Sequence, residues 1–266
     1  MTARVDFNSD IGESFGAYTI GCDPEVIRYI TSANIACGFH AGDSGWMHKT
    51  VQLAEQHGVA VGAHPGFPDL RGFGRRNMDV TPQEARDDVI YQVGALAAFT
   101  ATKKLQHVKP HGAIYHMAVK NDDLAKGICE GVLQVDPDLI VTVLAGSRWI
   151  DIARRMGLRV ARETFADRAF NADGTLVSRR KPGAVIHDAN HVVERALRIV
   201  TERTAVAETG ETITIEADTI CLHGDNPAAV ELAAALSAGF QAAGVALVPL
   251  GQLVCPLRPG SLGARA

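Results

Sequence analysis

Short apolar runs alternate with longer amphipathic stretches along the 266 residues of this chain. Apolar runs of about four to eight residues are typical of buried strands, and apolar residues three or four apart are typical of helices. Strands are predicted near residues 4–9, 32–37, 59–63, 107–110, 139–145, 159–163 and 218–223. Helices are predicted near residues 24–30, 46–57, 82–102, 121–134, 147–156, 187–203 and 227–243. This alternation predicts a parallel sheet, either closed into a barrel or open and doubly wound.

Polar residues beside glycine end strand after strand. The examples are Asp10 after the first strand, His40 after the second, His64 at the end of the third, Lys109 and His111 at the fourth and His223 at the seventh. An open sheet concentrates such residues at a topological switch point. A barrel instead collects them from all of its strands on one face. We therefore predict a single seven-stranded β/α barrel whose candidate site lies at the carboxyl ends of the strands.

Local signals place several helix ends. Thr81 is a good N-cap, with Pro82 at the first helical position and Glu84 three residues after the cap. Gly58 and Gly157 each follow a helical stretch and precede a strand, which is typical of a helix stop.

Two segments interrupt the alternation and are interpreted as insertions in one domain. Residues 205–215 are predicted to form a hairpin, and residues 168–180 a loop. The barrel domain is expected to span residues 1–251. Residues 252–266 have no strand or helix period, and we expect a mobile tail.

Composition and charge exclude several classes of function. With 47% apolar residues, a net charge of −4 and a pI near 6.2, the chain lacks the basic bias typical of nucleic-acid binding. No apolar run reaches about 18 residues, and the N-terminus lacks the pattern of an export signal. The five cysteines are odd in number and none has the spacing of a zinc ribbon. We therefore expect a cytoplasmic protein without membrane or nucleic-acid partners.

The first strand carries three polar residues at alternate positions. Asp6, Asn8 and Asp10 share one face of the strand, while Val5 and Phe7 point to the other. One interpretation is a hydrogen-bonded polar layer that fills the barrel, because a buried carboxylate without a partner is costly. The other is the floor of an active site, in which Asp10, with Glu13 just beyond it, acts as a general base or metal ligand.

Further candidates follow the second strand. Asn34, His40 and Asp43 form a polar cluster there, and Cys37 is either a nucleophile or an ordinary buried thiol. Four histidines end different strands, and we expect at least two of them in the site: His40, His64, His111 and His223. The other histidines are interpreted as surface or packing residues: His48, His57, His107, His116, His187 and His191.

Cationic residues suggest an anionic ligand. Lys109 at a strand end could hold a carboxylate or phosphate, and pairing with a site carboxylate is compatible with that role. The glycine-rich loop of residues 65–76 carries Arg71, Arg75 and Arg76 and is too long for a simple connector, which suggests a lid or anion-binding loop. No P-loop motif occurs, so a nucleotide would need another device.

Five ordered blocks together resemble the LamB/YcsF family. They are Asp6-Phe7-Asn8-Ser9-Asp10-Ile11-Gly12-Glu13, Asn34-Ile35-Ala36-Cys37-Gly38-Phe39-His40-Ala41-Gly42-Asp43, Gly62-Ala63-His64-Pro65, Lys109-Pro110-His111-Gly112-Ala113-Ile114-Tyr115 and His223-Gly224-Asp225. The resemblance runs from about residue 4 to residue 251. It implies a seven-stranded β/α barrel similar to those of glycoside hydrolases and polysaccharide deacetylases. It also implies ATP-dependent opening of 5-oxo-L-proline (pyroglutamate) to L-glutamate, together with two further 5-oxoprolinase subunits, B and C.

Under this resemblance ATP is a co-substrate with magnesium, and no tightly bound organic cofactor is expected. A five-membered lactam is a poor electrophile, so phosphorylation of its oxygen would assist attack by water. We hypothesise that Asp10 or His40 activates water, that His64 and His111 handle protons or oxyanion charge, and that Lys109 holds an anionic group. The expected substrate-binding residues are Asp6, Asn8, Glu13, Asn34, Asp43, His223 and Asp225.

Two other functions remain open. A metal-dependent amide or carbohydrate deacetylase could use Asp10, His40 and His64 as ligands, since one carboxylate and two imidazoles suit zinc. Alternatively, the chain is a non-catalytic subunit that binds the lactam while its partners perform the chemistry.

Overall fold

The computed structural model describes residues 2–223 and 229–254, which alternate strands and helices as predicted. The strands are β1 (Arg4–Ile11), β2 (Ser32–Ala36), β3 (Ala60–His64), β4 (His107–Val108), β5 (Ile140–Leu144), β6 (Arg159–Phe165), β7 (Thr204–Val206), β8 (Thr212–Thr214), β9 (Thr219–His223) and β10 (Ala246–Leu247). The helices are α1 (Asp23–Val26), α2 (Ser44–Gln56), α3 (Pro82–Ala97), α4 (Gly112–Ala118), α5 (Asp122–Val135), α6 (Trp149–Arg155), α7 (Ala189–Glu202) and α8 (Ala229–Ala242), followed by a 3₁₀ turn at Leu250–Gln252.

Seven parallel strands close into a barrel in the order β1-β2-β3-β4-β5-β6-β9. Closure occurs because β9 pairs with both β6 and β1, with Asp6 opposite Thr219 and Asp10 opposite His223. The predicted barrel is therefore confirmed, and the open sheet is excluded. A short strand, β10, adds to the start of β1.

The alternation along β1 has the predicted effect. Phe7 packs outward against Phe240 of α8, with ring centroids 6.4 Å apart. Asn8 and Asp10 instead bond to polar groups of neighbouring strands. The core therefore lies between the barrel and its helices, and the barrel interior contains a polar layer.

Local signals set the helix ends as expected. Thr81 and Glu84 form a capping box at the start of α3, with both reciprocal bonds present. Gly58 and Gly157 adopt positive φ after α2 and α6. In contrast, α3 ends at Ala97 rather than near 102, because Thr100 donates to the carbonyl of Ala97 and closes the helix.

Other boundaries also differ from the pattern. The fourth strand has only two residues, and α4 begins four residues after it, which the sequence did not predict as a separate helix. The predicted hairpin and loop are confirmed, since β7 and β8 pair antiparallel and residues 168–180 contain no strand or helix. Packing continues beyond the predicted domain end at 251, where Val254 contacts the cluster around Ile140. The rest of the predicted tail, residues 255–266, lies outside the described residues.

No helix in the described part of the chain is long and apolar enough to span a membrane.

Candidate active site

A buried ammonium group lies at the centre of the polar layer. The Nζ atom of Lys109 lies 2.7 Å from Asp10 Oδ1 and 2.8 Å from Glu163 Oε1. It also lies 3.0 Å from the Sγ atom of Cys221, and the Oε2 atom of Glu163 accepts from the hydroxyl of Tyr115 at 2.9 Å. Neighbouring strands and one helix thus contribute to a single hydrogen-bonded group.

Electrostatics keep Lys109 charged. Burial alone would lower the pKa of Lys109, but the carboxylates of Asp10 and Glu163 hold it well above its ordinary value. The ammonium is therefore neutralised by two carboxylates. The structure shows the predicted pairing of Lys109 with a site carboxylate.

Asp10 connects this group to the histidines. Its Oδ1 accepts from Lys109 and from the side-chain amide of Asn34 at 2.9 Å, and its Oδ2 lies 3.3 Å from His64 Nε2. Asn8 accepts from the same Asn34 amide at 2.7 Å. Asn8 and Asn34, both predicted site residues, therefore position Asp10.

Asp6 lies deeper and is enclosed. Its carboxylate accepts from the hydroxyls of Thr31, Ser32 and Thr219, and the residue has no exposed surface. Burial raises the pKa of Asp6 to about 6, although those hydroxyls oppose the shift. Asp6, predicted as a substrate-binding residue, therefore lies in the polar layer and does not line the cavity.

Three histidines and one glutamate form a second buried group next to Asp10. Glu13, His40, His64 and His111 each offer one ligand atom, and these atoms all lie within 4.8 Å of one another. The rings of His40 and His111 stack with centroids 3.7 Å apart. Burial, followed by the neighbouring imidazoles, lowers the pKa of His40 and of His111 well below the ordinary range. Three of the four predicted histidines thus meet in the site.

A cavity of about 700 Å³ opens above this group. Its floor includes Asp10, His64, Lys109, His111 and Tyr115. Its rim carries five exposed basic side chains, Arg75, Lys120, Arg179, Arg180 and Lys181, and the buried Arg168 also lines it. Asp10 is the single acid among the described lining residues. The mouth is therefore positive although the chain as a whole is negative.

Some predicted site residues lie elsewhere. Asp43 is the N-cap of α2. Its side chain accepts from the backbone N–H groups of Trp46 and Gly16, so it stabilises the start of this helix and the loop before it. Of the three loop arginines, only Arg75 lines the cavity; Arg76 pairs with Asp69, and Arg71 is exposed.

Two predicted site residues, His223 and Asp225, lie at or beyond the limit of the residues that the structure describes. His223 pairs through its backbone with β1, and its side chain lies outside the described residues, as does the whole of Asp225.

Cys37 is unsuited to nucleophilic attack. It is buried, and burial raises the pKa of its thiol to about 12, so the thiolate is scarce at neutral pH. The interpretation as an ordinary buried thiol is the one that fits.

Three residues outside the predicted site also belong to the buried network. His107 is fully buried, and its Nε2 lies 2.7 Å from Asn34 Oδ1, so it is a packing residue of the polar layer, which is one of the two roles predicted for it. Glu163 lies near the carboxyl end of β6 and Tyr115 in the first turn of α4, and neither was among the predicted site residues. The available signal for Glu163 was a carboxylate near the carboxyl end of the sixth predicted strand.

The chain is similar to known proteins over nearly its whole length. A model of the LamB/YcsF family matches residues 5–255. The chain is 56% identical over 253 residues to the 5-oxoprolinase A subunit of Pyrococcus furiosus, covering 94% of this chain and 99% of that protein. It is 54% identical to the protein of the same name from Limosilactobacillus fermentum, covering 92% and 98%.

Solved structures show the same fold. The chain matches the lactam utilization protein from Thermus thermophilus with a TM-score of 0.88, 46% identity and coverage of 92% and 99% of the two chains. A T48 deacetylase matches with a TM-score of 0.50 at 15% identity, covering 96% of this chain and 94% of its own, which shows likeness of fold alone.

Proposed function

This chain belongs to the LamB/YcsF family, and we propose that it is the A subunit of a 5-oxoprolinase that opens 5-oxo-L-proline to L-glutamate with ATP and two partner subunits, B and C. The observation that carries the proposal is identity above 50% over almost the full length of relatives with that name. ATP dependence and the partners B and C are part of the proposal. We place the reaction in the cytoplasm, where ATP is available.

The cavity supports an anionic substrate of this kind. Its volume of about 700 Å³ lies in the range of small-molecule sites and leaves room for more than a five-membered lactam. Arg75, Arg179 and Arg180 at the rim can hold a carboxylate or a phosphate, because guanidinium groups bind both through paired hydrogen bonds. Lys109 is already neutralised, so the rim is the better anion-binding surface.

The reaction needs activation because a lactam carbonyl is a poor electrophile. Transfer of the γ-phosphoryl group of ATP to the lactam oxygen releases ADP and makes the ring carbon more electrophilic. Water then adds to that carbon, and the C–N bond breaks as the ring nitrogen takes up a proton. A second water hydrolyses the resulting acyl phosphate to glutamate and inorganic phosphate, which completes the balance.

Asp10 is the group we propose to accept the proton from water. It lines the cavity, its Oδ1 is held by Lys109, and its Oδ2 faces His64. His40 does not line the cavity, which favours Asp10 over His40 for this role. His64 and His111 do line it, so this face of the cavity can meet the oxyanion charge that develops in the reaction, which is the second role expected of these histidines.

The test is glutamate release from 5-oxoproline by the purified chain, alone and mixed with candidate B and C subunits, with and without ATP. The proposal predicts glutamate only in the complete mixture with ATP. Glutamate formation in the absence of ATP, or hydrolysis of acetylated amides or sugars by the chain alone, would favour the deacetylase function instead.

A second measurement separates catalysis from mere binding. In the complete mixture, Asp10→Asn is expected to lower kcat by at least about 100-fold. A change confined to KM would favour a lactam-binding subunit whose partners perform the chemistry. Asp123→Asn, an exposed residue on α5, is the control for the same chemical change.

A further inference from the structure

We propose that Glu13, His40, His64 and His111 form a binding site for one divalent transition-metal ion of the zinc class. Their four ligand atoms lie within 4.8 Å of one another, and all four residues are buried. Three imidazoles and one carboxylate are a donor set that suits zinc. The four residues come from loops or strand ends after β1, β2, β3 and β4, so the barrel itself assembles the set.

Hydrogen bonds to the backbone fix the orientation of two of the rings. His64 Nδ1 lies 2.6 Å from the carbonyl oxygen of Lys109, and His111 Nε2 lies 2.8 Å from that of Phe73. A carbonyl oxygen only accepts, so each of these nitrogens carries the proton. In a neutral imidazole the other nitrogen then presents a lone pair, which is Nε2 in His64 and Nδ1 in His111.

These two lone pairs face each other. His64 Nε2 and His111 Nδ1 lie 3.0 Å apart, and Asp10 Oδ2 lies 3.3 Å from His64 Nε2. Such an arrangement is repulsive unless a positive charge lies between the atoms. Two nitrogens that each lie about 2.0–2.1 Å from a zinc ion are about 3 Å apart when the angle at the metal is near 90°. The observed separation therefore fits two ligands of one ion.

His40 supplies an independent observation. It has no exposed surface, and neither of its ring nitrogens has a hydrogen-bond partner within the part of the chain that the structure describes. Buried polar groups are normally bonded, because an unsatisfied one costs free energy. His40 Nε2 lies 3.4 Å from Glu13 Oε1, which points into the same group. Coordination would satisfy the ring.

The surroundings hold these side chains in place. Metal-binding histidines usually donate their second N–H to a carbonyl or carboxylate, as His64 and His111 do here. Gly74 has a positive φ, and a Cβ at that position would lie 2.7 Å from His40 Cβ and 2.9 Å from His111 Cδ2. The absence of a side chain at Gly74 thus allows the two rings to stack.

The alternative to a metal is a proton. If either of the two rings carried a second proton, it could donate to the other ring, and the cluster would hold an imidazolium instead of a metal ion. Metal titration separates the two cases. The proposal does not rest on the proposed function, because binding is measured on the isolated full chain without substrate.

The experiment uses Co²⁺ as a spectroscopic probe and Zn²⁺ as the competitor. The full chain is stripped with a chelator, dialysed and titrated with Co²⁺, while visible ligand-field bands and bound metal are recorded. We expect one equivalent of Co²⁺, bands typical of four or five coordination, and displacement by one equivalent of Zn²⁺. His64→Gln and His111→Gln should each weaken binding by roughly 100-fold or more.

The matched control is His48→Gln, an exposed histidine on α2, which should bind as the unaltered chain does. Glu13→Gln preserves shape, so it remains informative if a histidine variant fails to fold as judged by circular dichroism; it should shift the Co²⁺ bands and weaken binding. Less than about one tenth of an equivalent bound by the folded chain would overturn the proposal. Equal binding by His64→Gln and His111→Gln and by the unaltered chain would overturn it too, because the metal would then lie elsewhere.

These outcomes are distinct from those for the proposed function. Metal binding without lactam hydrolysis in the complete mixture would leave the site standing and remove the oxoprolinase assignment. Lactam hydrolysis by a chain that binds no metal would do the reverse.

Discussion

The ammonium group of Lys109 lies between two buried carboxylates, those of Asp10 and Glu163. Each carboxylate has further partners, so the three charges share one network of bonds with Asn34 and Tyr115. Removal of a single member leaves buried charge without compensation, which is much more costly than the net stabilisation by an intact pair. The network is thus expected to respond strongly to single substitutions.

Lys109→Met tests this expectation. Because it leaves the buried carboxylates without their cation, we expect the free energy of unfolding at pH 7 to fall by about 3–5 kcal/mol. Urea denaturation followed by circular dichroism measures the change. Lys126→Met is the control, since Lys126 pairs with Asp123 on the exposed face of α5, and its midpoint should stay close to that of the unaltered chain. A similar loss in both variants would contradict the buried network.

Asp6 gives a pH-dependent prediction. Its pKa in the folded chain is about 6, above the ordinary value of 3.8, so the folded state binds this proton more tightly than the unfolded state. Its stabilising contribution is present below pH 3.8 and is lost as the pH rises through 6. Asp6→Asn does not titrate, so its stability relative to the unaltered chain should rise by about 3 kcal/mol between about pH 3.5 and 7.

Urea unfolding of both proteins across that range measures the difference, and parallel pH profiles would show that Asp6 titrates normally. Asp43→Asn should show the opposite sign. Backbone N–H groups of Gly16 and Trp46 lower the pKa of Asp43, so its contribution is present above its ordinary pKa and is lost as the pH falls.

Close packing of neighbouring strands brings the side chains of the polar layer together. Gly62 in β3 faces the ring of His107 in β4, and a Cβ at position 62 would overlap that ring. His107 in turn bonds to Asn34 in β2, which holds Asp10 in β1. A single small residue thus affects the geometry of four neighbouring strands.

Gly62→Ala is therefore expected to lower the free energy of unfolding by about 1–3 kcal/mol, since the imidazole must move within a packed interior. Gly94→Ala is the matched control at an exposed position in the last turn of α3, where a Cβ has nothing within 4 Å. There alanine should raise stability by about 0.5–1 kcal/mol because it favours the helix. Thermal unfolding of the two variants should shift in opposite directions, and a shift in the same direction would be inconsistent with the packing at Gly62.

Charge is distributed unevenly over the barrel as a whole. The chain has a net charge of −4, but the rim of the cavity is basic, with Arg75, Lys120, Arg179 and Arg180 among its residues. A cleft lined by one sign of charge concentrates ligands of the opposite sign, and salt weakens that effect. The mouth of this barrel should therefore attract anions despite the overall charge.

The double variant Arg179→Gln and Arg180→Gln tests this under the proposed function. In the complete mixture we expect KM for 5-oxoproline to rise severalfold at low salt with little change in kcat, and the difference to shrink at high salt. Arg154→Gln with Arg155→Gln on α6 removes the same charge from an exposed surface and should have little effect. Equal effects in the two pairs would mean that overall charge, not the rim, attracts the substrate.

The alternation of strands and helices and the inward face of β1 could be predicted from local periodicity, and the barrel from the polar residues that end its strands. The same holds for the capping box at Thr81, and for His40, His64 and His111, since strand ends of a parallel barrel share one face. The local sequence pattern could not show which of these side chains contact one another. Lys109 and Asp10 are 99 residues apart, and the contact between Asn8 and Thr219 spans 211.

Such contacts depend on strand register and barrel closure, because a shift by one residue would turn a side chain to the other face. Only the folded chain therefore showed that Glu163 and Tyr115 join the site, that Asp6 is enclosed and that Asp43 caps a helix. The residue types at the strand ends come from the sequence alone. Their distances, charges and access to the cavity arise from the closure of seven strands around a shared interior.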